Sequence, residues 1–213
     1  MTSTRSFAAC LAAALLAPGA WAATVYDEGV SGDLSGNGLS PTFVAMAGGS
    51  NVVMGTTGRE NGIVDRDYFS ITVPAGWLLT AITPMATTGV VGTSAFIGLE
   101  SGTQVTTPVT GPATTLLGWH HYVVADVGVN ILPAIGAGAG AIGFTGPLGA
   151  GNYAVWVQET GVGTVPYVMD FTLSAVPEPA SALMLLVGLV GVAALRRRPG
   201  SGMRLDPTGT AAP

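Results

Sequence analysis

The stretch from Asp33 to Gly38 carries oxygen-bearing side chains at the spacing that calcium-binding loops use. Asp33, Ser35 and Asn37 would occupy ligand positions one, three and five of such a loop, and Gly38 would make the turn at position six. The twelfth position, where the loop needs a bidentate glutamate, is Val44. The residues therefore predict either half of a calcium site or an Asx-rich turn, in which the side chains bond the local backbone.

A second group of carboxylates lies around Asp65 and Asp67, close in the chain to Glu60 and Asn61. Residues two apart on a strand point to the same face, so Asp65 and Asp67 could clamp a calcium ion. The same pair could serve a glycosidase, although spacing alone does not show this. The sequence favours a solvated loop end over a calcium clamp here, as it favours the Asx-rich turn over a calcium loop at Asp33. We therefore expect no cofactor, and calcium is the alternative.

Aromatic side chains on the surface could stack on sugar rings. Trp156 is out of phase with Val155 and Val157, so we expect it to face away from their core and to be exposed. Trp119, beside His120, is the second candidate because it adjoins a predicted loop. The sequence favours core filling, or ordinary exposure without a ligand, for both tryptophans, and stacking on sugar is the alternative.

Groups for nucleophilic catalysis are few. The two histidines, His120 and His121, are neighbours and would point to opposite faces of a strand. The chain has no Gly-x-Ser-x-Gly elbow, no His-Glu-x-x-His helix and no lysine, and its single cysteine, Cys10, lies in an apolar segment that export would remove. The sequence therefore favours a protein that is not an enzyme, with a secreted hydrolase as a third alternative.

Charge is unevenly distributed between the two apolar ends of the chain. There, two arginines stand against ten acidic residues, a formal charge near −8 (2 − 10). A surface so poor in cations gains nothing from neutralising phosphates, which argues against nucleic acid and against anionic membrane surfaces as partners.

Short stretches of alternating apolar and polar residues run from residue 23 to residue 175, separated by Gly, Pro, Asn and Asp. This pattern is typical of half-buried antiparallel strands. The clearest strands are predicted at 68–73, 153–157 and 167–173, and weaker ones at 42–46, 51–54, 78–82, 95–99, 104–109 and 121–127. We expect an all-β domain over residues 23–175, an antiparallel β-sandwich or jelly roll, with residues 136–149 as a loop.

The first 22 residues have the three parts of a secretory signal peptide. These are a positive charge at Arg5, an apolar run over residues 7–16, and small residues at Ala20 and Ala22. Signal peptidase would cut between Ala22 and Ala23 after export through the secretory translocon. A retained anchor is the alternative, but a ten-residue run is too short to span a bilayer.

An apolar, helix-forming run at residues 180–195 is framed by two short motifs. They are Val176, Pro177, Glu178 and Pro179 before it, and Arg196, Arg197 and Arg198 after it. Sixteen helical residues reach about 24 Å against a hydrocarbon core of about 30 Å, so the run predicts a short transmembrane helix with the arginines on the cytoplasmic side. Residues 199–213 are expected to be a disordered tail. A plain stop-transfer anchor is the alternative.

Residues 176–198 resemble the sorting signal called PEP-CTERM in the order of their three parts. The resemblance implies recognition by an exosortase, a membrane protease-transpeptidase. It also implies a protein that is secreted or held in the cell envelope of a Gram-negative bacterium that makes exopolysaccharide, and that its C-terminus anchors transiently in the membrane. The 15 residues after the arginines depart from the family, whose members usually stop soon after that cluster.

Two stretches of the middle domain, residues 65–76 (DRDYFSITVPAG) and 148–157 (LGAGNYAVWV), resemble the bacterial pre-peptidase C-terminal domain. That domain is a jelly-roll β-sandwich appended to secreted proteases, in which the two corresponding strands face each other in the core. This second resemblance implies a fold rather than an activity.

Together these features predict an exported, non-enzymatic protein of the cell envelope or extracellular matrix, associated with exopolysaccharide and biofilm and sorted through its C-terminal signal. The alternative is a carbohydrate- or calcium-binding module at the cell surface.

Overall fold

The computed structural model describes residues 22–176, 186–190 and 192. The signal peptide apart from Ala22, most of the predicted transmembrane helix and the predicted tail at 199–213 lie outside these residues. Contacts divide the chain into two units between Val176 and Pro177. In the second unit residues 186–190 are helical and exposed, and within the described residues no helix is long and apolar enough to cross a membrane.

The first unit consists mostly of strands. In its described part the elements are β1 (Ala23–Asp27), α1 (Glu28–Ser31), β2 (Thr42–Phe43), β3 (Gly49–Glu60), β4 (Ile63–Val73), β5 (Trp77–Pro84), β6 (Ala95–Ser101), β7 (Leu116–Tyr122), a 3₁₀ turn (Val124–Asp126), α2 (Leu132–Gly136), β8 (Gly151–Gln158) and β9 (Gly163–Ala175).

The long hairpin of β3 and β4 organises the sheet. Its turn is Asn61-Gly62, whose positive φ angles of 50° and 82° suit the tight hairpin turn that Asn-Gly favours. Only the turn ends of the two strands pair with each other, from Gly58↔Asp65 to Glu60↔Ile63. Further along, β3 pairs with β9 and β4 pairs with β8. The two strands therefore diverge into two halves of one sheet.

The strands follow the order β5-β9-β3-β4-β8-β6-β7 and are antiparallel, with β1 and β2 added in parallel beside β3 and β4. The sheet curls into a half-barrel whose halves face each other. The predicted antiparallel all-β class is confirmed. In place of two separate sheets, hydrogen bonding is continuous, because the β3–β4 hairpin joins the halves.

The core lies between the two halves of the curled sheet. Along β4, β8 and β9 the inward residues alternate as the sequence predicts. Phe69 on β4 meets Phe171 on β9 edge to face, with ring centroids 5.6 Å apart. Burial of each side chain of this size stabilises the fold by about 1.5–3 kcal/mol. The three clearest predicted strands, and the faces that they bury, are confirmed.

The strand predicted at 42–46 is confirmed only at Thr42–Phe43. Two other weak strand predictions are wrong, and hydrogen bonds explain both. Residues 104–109 form a loop because the Glu100 carboxylate accepts the backbone N–H groups of Thr106 and Thr107, at 3.0 and 3.3 Å. The strand predicted at 121–127 ends just before Val123, whose N–H donates to Asp126 Oδ2 at 2.8 Å and opens the 3₁₀ turn. The predicted loop at 136–149 is confirmed after the end of α2.

Candidate cation site, aromatic pocket and sorting segment

Asp67 occupies a core position of β4. Strand alternation places it in phase with Phe69, Ile71 and Val73, which face the core. Its side chain is 0% exposed, and neither carboxylate oxygen has a hydrogen-bond partner. A carboxylate that loses its hydration without gaining donors is costly to bury. Packing alone therefore does not explain an acidic residue at this position.

Two further carboxylates meet Asp67 from the N-terminal part of the domain. Glu28 begins α1 and Asp33 lies just after it, and one oxygen from each of the three side chains lies within 4.8 Å of the others. The Glu28 carboxylate is held by the N–H of Leu34 at 3.0 Å and the N–H of Thr56 on β3 at 2.7 Å. We call Glu28, Asp33 and Asp67 the acidic cluster. It runs from solvent at Asp33 to the core at Asp67.

Burial dominates the electrostatics of the acidic cluster. It raises the pKa of Asp67 to about 9, and the negative charge of Glu28 adds to this effect. The Tyr167 hydroxyl opposes the shift, although it is itself buried and does not reach hydrogen-bonding geometry. Burial also raises the pKa of Glu28, against the effect of its two backbone donors. In the absence of a cation, Asp67 therefore keeps a proton at neutral pH.

The other two buried carboxylates in the described part of the chain are well supplied with donors. Glu159 accepts three backbone N–H groups at 2.7, 2.9 and 3.2 Å. Glu100 accepts two backbone N–H groups and two threonine hydroxyls. Asp67 has none of these donors. The fold thus compensates two of its buried carboxylates and leaves the third unpaired.

Of the residues that the sequence suggests as metal ligands, the structure brings together Asp33 and Asp67. Asp65 is exposed, and Glu60 accepts a threonine hydroxyl at 3.0 Å. Asn37 accepts the backbone N–H two residues further on, at 3.0 Å, as in an Asx turn. These three residues lie outside the acidic cluster.

Sequence analysis missed Glu28, which belongs to no calcium motif. Its place in the cluster depends on the parallel pairing of β1 with β3, which brings the start of α1 beside Thr56. The sequence feature that could have indicated the cluster is the position of Asp67, which falls on the same face as the apolar residues Phe69 and Ile71. Asp67 comes one residue before the strand predicted at 68–73 and shares the phase of its apolar face, and an acidic residue at such a position indicates an unusual partner.

A pocket of about 340 Å³ lies against the outer side of β6, β7 and β8. Its aromatic walls are Phe96, Trp119, His121 and Trp156. Trp119 stacks on Phe96 with ring centroids 6.2 Å apart. The Trp119 indole N–H donates to the carbonyl of Ala139 at 2.9 Å, which fixes its ring. Its volume lies at the lower end of the range of about 300–1,000 Å³ that is usual for small-molecule pockets.

Both tryptophans proposed as stacking residues line this pocket, but the expectation that Trp156 is exposed is wrong. The Trp156 ring does point away from the core that Val155 and Val157 face, as strand alternation predicts. However, it is 4% exposed, because it packs with Tyr68, Val105 and Leu116 in a second apolar cluster. Its indole N–H is buried without a partner. Trp119 is half-buried and is the ring that a ligand can reach.

The two histidines lie in different surroundings. The His120 ring is 3.3 Å from Asp126 Oδ2, whereas His121 is exposed and packs edge to face on Phe96 and Trp119. The prediction that they point to opposite faces is confirmed. No serine hydroxyl bonds either ring among the described residues.

The boundaries of the domain coincide with the predicted processing sites. β1 begins at Ala23, and both Ala22 and Ala23 are exposed. β9 ends at Ala175, and the N–H of Val176 donates to the carbonyl of Gly76 at 2.8 Å. Cleavage at both sites would therefore leave every described strand intact. Outside the described residues lie Ala20, Pro177, Glu178, Pro179, Arg196, Arg197 and Arg198.

A family model described as the PEP-CTERM protein-sorting motif matches residues 175–198. No curated protein and no solved structure matches the chain. The resemblance of the middle domain to the pre-peptidase C-terminal domain has no family match and stays a prediction. The chain therefore carries a PEP-CTERM protein-sorting motif, which indicates an exported protein of the cell envelope that an exosortase, a membrane protein, processes.

Proposed function

We propose that this chain is a non-enzymatic protein of the cell envelope or extracellular matrix of a Gram-negative bacterium, delivered there by signal peptidase and exosortase. The observation that carries the proposal is the sorting motif at residues 175–198, which starts where β9 ends. Processing at such a point releases a domain that retains its whole sheet. The short apolar helix would hold the chain in the membrane only until the exosortase acts.

The surroundings of the titratable groups support a role without catalysis. His120 is bonded to the 3₁₀ turn through Asp126, and among the described residues no serine hydroxyl bonds His120 or His121. Glu100 and Glu159, the buried carboxylates with donors, are engaged in holding loops through backbone N–H groups. General acid–base catalysis needs such groups to be free to meet a substrate.

A transplanted tail tests the sorting part of the proposal. Residues 175–198 fused to an exported reporter should be cleaved from it in a Gram-negative host that carries an exosortase, and should remain in the same host without one. Replacing Arg196, Arg197 and Arg198 with alanine is the control, since loss of the cations should abolish processing. An uncleaved reporter in the exosortase host would contradict the proposal.

A second candidate function, binding of exopolysaccharide, is favoured by the aromatic pocket. Sugar rings present apolar C–H faces that stack on tryptophan, and Trp119 is held in place with a half-buried ring. The half-buried side chain of Gln158 lines the same pocket and carries polar atoms that could bond a sugar hydroxyl. A pocket that combines aromatic faces with polar side chains can hold a sugar ring and its hydroxyl groups.

Affinity electrophoresis through gels containing exopolysaccharide tests this second function. The wild-type chain should be retarded, and Trp119→Ala should weaken retardation by roughly tenfold, the loss expected for one stacked ring. Phe43→Ala is the matched control, because Phe43 is a 63% exposed aromatic residue on β2, away from the pocket. Equal retardation of all three proteins would exclude the pocket as the binding site.

A further inference from the structure

We propose that Glu28, Asp33 and Asp67 bind one divalent cation with the ligand preferences of calcium, and that this ion fastens the N-terminal segment of the domain to β4.

The spacing of the acidic cluster is that of ligands to a single ion. Calcium binds oxygen at about 2.3–2.6 Å, so two oxygens on one calcium ion lie at most about 5 Å apart. One oxygen each from Glu28, Asp33 and Asp67 meets this limit, since all three lie within 4.8 Å of one another. The three side chains come from two separate parts of the chain, and the fold alone brings them together.

The unpaired state of Asp67 is an independent observation that points to a ligand. Asp67 is 0% exposed, both its oxygens lack partners, and it points into the acidic cluster. The Tyr167 hydroxyl, on the facing half of the sheet, is also buried and unpartnered. Gly55 leaves room for that hydroxyl, because a Cβ there would lie 2.6 Å from it. The Asp67 carboxyl group and the Tyr167 hydroxyl are therefore both buried here without hydrogen-bond partners.

The described residues supply no positive charge to the acidic cluster. Among these residues the one contact of salt-bridge length is between His120 and Asp126, away from the acidic cluster. Arg66, next to Asp67 in the chain, donates instead to the side chain of Gln158 at 2.8 Å and to the carbonyl of Val64 at 3.3 Å. A bound cation would provide the compensation that the side chains do not.

The chemistry of the ligands selects the type of ion. All three are carboxylates, and hard oxygen ligands suit calcium or magnesium rather than zinc or copper. Glu28 keeps its two backbone donors, so its geometry is fixed before the ion arrives. Asp33 is exposed, which leaves an entry path and room for water to complete the six to eight ligands of calcium.

The ion would act as a fastener between the N-terminal segment and the sheet. Glu28 begins α1 and Asp33 follows it, and the four residues of α1 bury no side chain. A link from these carboxylates to Asp67 would tie α1 to β4. Extracellular calcium modules have dissociation constants of about 10⁻⁴–10⁻³ M, and we expect this range here.

Titration calorimetry of the exported chain, stripped with a chelator, tests the proposal. Calcium chloride should give saturable heat with one ion per chain, and Asp33→Asn should weaken affinity by more than about tenfold. Asp67→Asn should abolish binding. Glu60→Gln, which removes an exposed carboxylate outside the cluster, is the charge-matched control and should bind as wild type does. Magnesium and zinc, titrated separately, should bind more weakly than calcium.

Two results would overturn the proposal. One is the absence of saturable heat with calcium in the wild-type chain, which would mean that the cluster holds only a proton. The other is calcium binding that survives Asp33→Asn unchanged, which would place the ion elsewhere. Asp33 is exposed, so this variant keeps the fold and the test does not depend on Asp67 variants folding.

Discussion

Replacing Asp67 with asparagine should stabilise the cation-free protein at neutral pH, although the change removes a buried ionisable group. Asparagine nearly matches aspartate in shape, so the packing of β4 is kept. The difference between the two residues lies in ionisation. The side chains that influence the carboxyl group are Glu28, Asp33, Asp65 and Tyr167.

The magnitude follows from the pKa of Asp67. Its ordinary value is 3.8, and burial raises the pKa in the fold to about 9. The folded state keeps a proton that the unfolded chain releases, so the stability from this group is fully present below about pH 4 and is lost as pH rises towards 9. The pH of 7 lies roughly three units above the ordinary pKa that Asp67 has in the unfolded chain. At about 1.4 kcal/mol for each unit, the free energy of unfolding is therefore about 4 kcal/mol lower at pH 7 than below pH 4.

Asparagine does not ionise, so Asp67→Asn avoids this loss. In chelator at pH 7 the free energy of unfolding should rise by up to about 4 kcal/mol, and Tm by roughly 8–16 °C, at about 2–4 °C per kcal/mol for a domain of this size. Below pH 4 the gain should vanish. Saturating calcium should raise Tm of the wild type and leave the variant unchanged.

Urea denaturation in chelator between pH 4 and pH 8 measures the effect. Glu159→Gln is the matched control, because Glu159 is also buried but accepts three backbone N–H groups. Glu159→Gln should lower the free energy of unfolding by about 1.5–3 kcal/mol at pH 7, a change opposite in sign to that of Asp67→Asn. The reasoning is refuted if Asp67→Asn is destabilised at pH 7, or if its advantage does not change with pH.

Three further predictions concern the N-terminal segment and the sheet. The backbone N–H groups of Leu34 and Thr56, which donate to Glu28, should exchange their hydrogens faster in chelator than in calcium. Equal protection in both solutions would contradict the proposal that an ion links α1 to β4. Asn51→Ala should lower the free energy of unfolding in urea by about 3 kcal/mol or more, because the buried amide of Asn51 donates to three carbonyls and accepts one N–H. Asn37→Ala is the exposed control and should lower it by less than about 1 kcal/mol. Gly58→Ala should destabilise the β3–β4 hairpin, because φ at Gly58 is 135° and a Cβ there would lie 2.0 Å from the carbonyl oxygen of Gly163. Gly149→Ala is the control and should leave the free energy of unfolding nearly unchanged, because a Cβ at Gly149 would meet no atom within 4 Å.

Strands could be predicted from the sequence wherever alternation was strong. Phe69 and Ile71 on β4, and Met169 and Phe171 on β9, show the period of two that one buried face imposes, and the structure buries all four. The Asn61-Gly62 turn was also a local signal, because its conformation depends on those two residues.

Features that depend on contacts distant in sequence could not be predicted. The exposure of Trp156 depends on Val105, which the sequence places in a separate strand and the structure places in a covering loop. The acidic cluster depends on the approach of the N-terminal segment to β4, so Glu28 gave no sign of meeting Asp67. Local pattern fixes which face a residue occupies, whereas chain topology decides what covers that face.

The intact mass of the mature chain tests the central claim most directly. Recovered from a Gram-negative host with an exosortase, the chain should begin at Ala23 and end within or close to residues 176–179. The same host without the exosortase should yield a chain that begins at Ala23 and keeps the arginine cluster. A mass corresponding to residues 1–213 in both hosts would contradict the account.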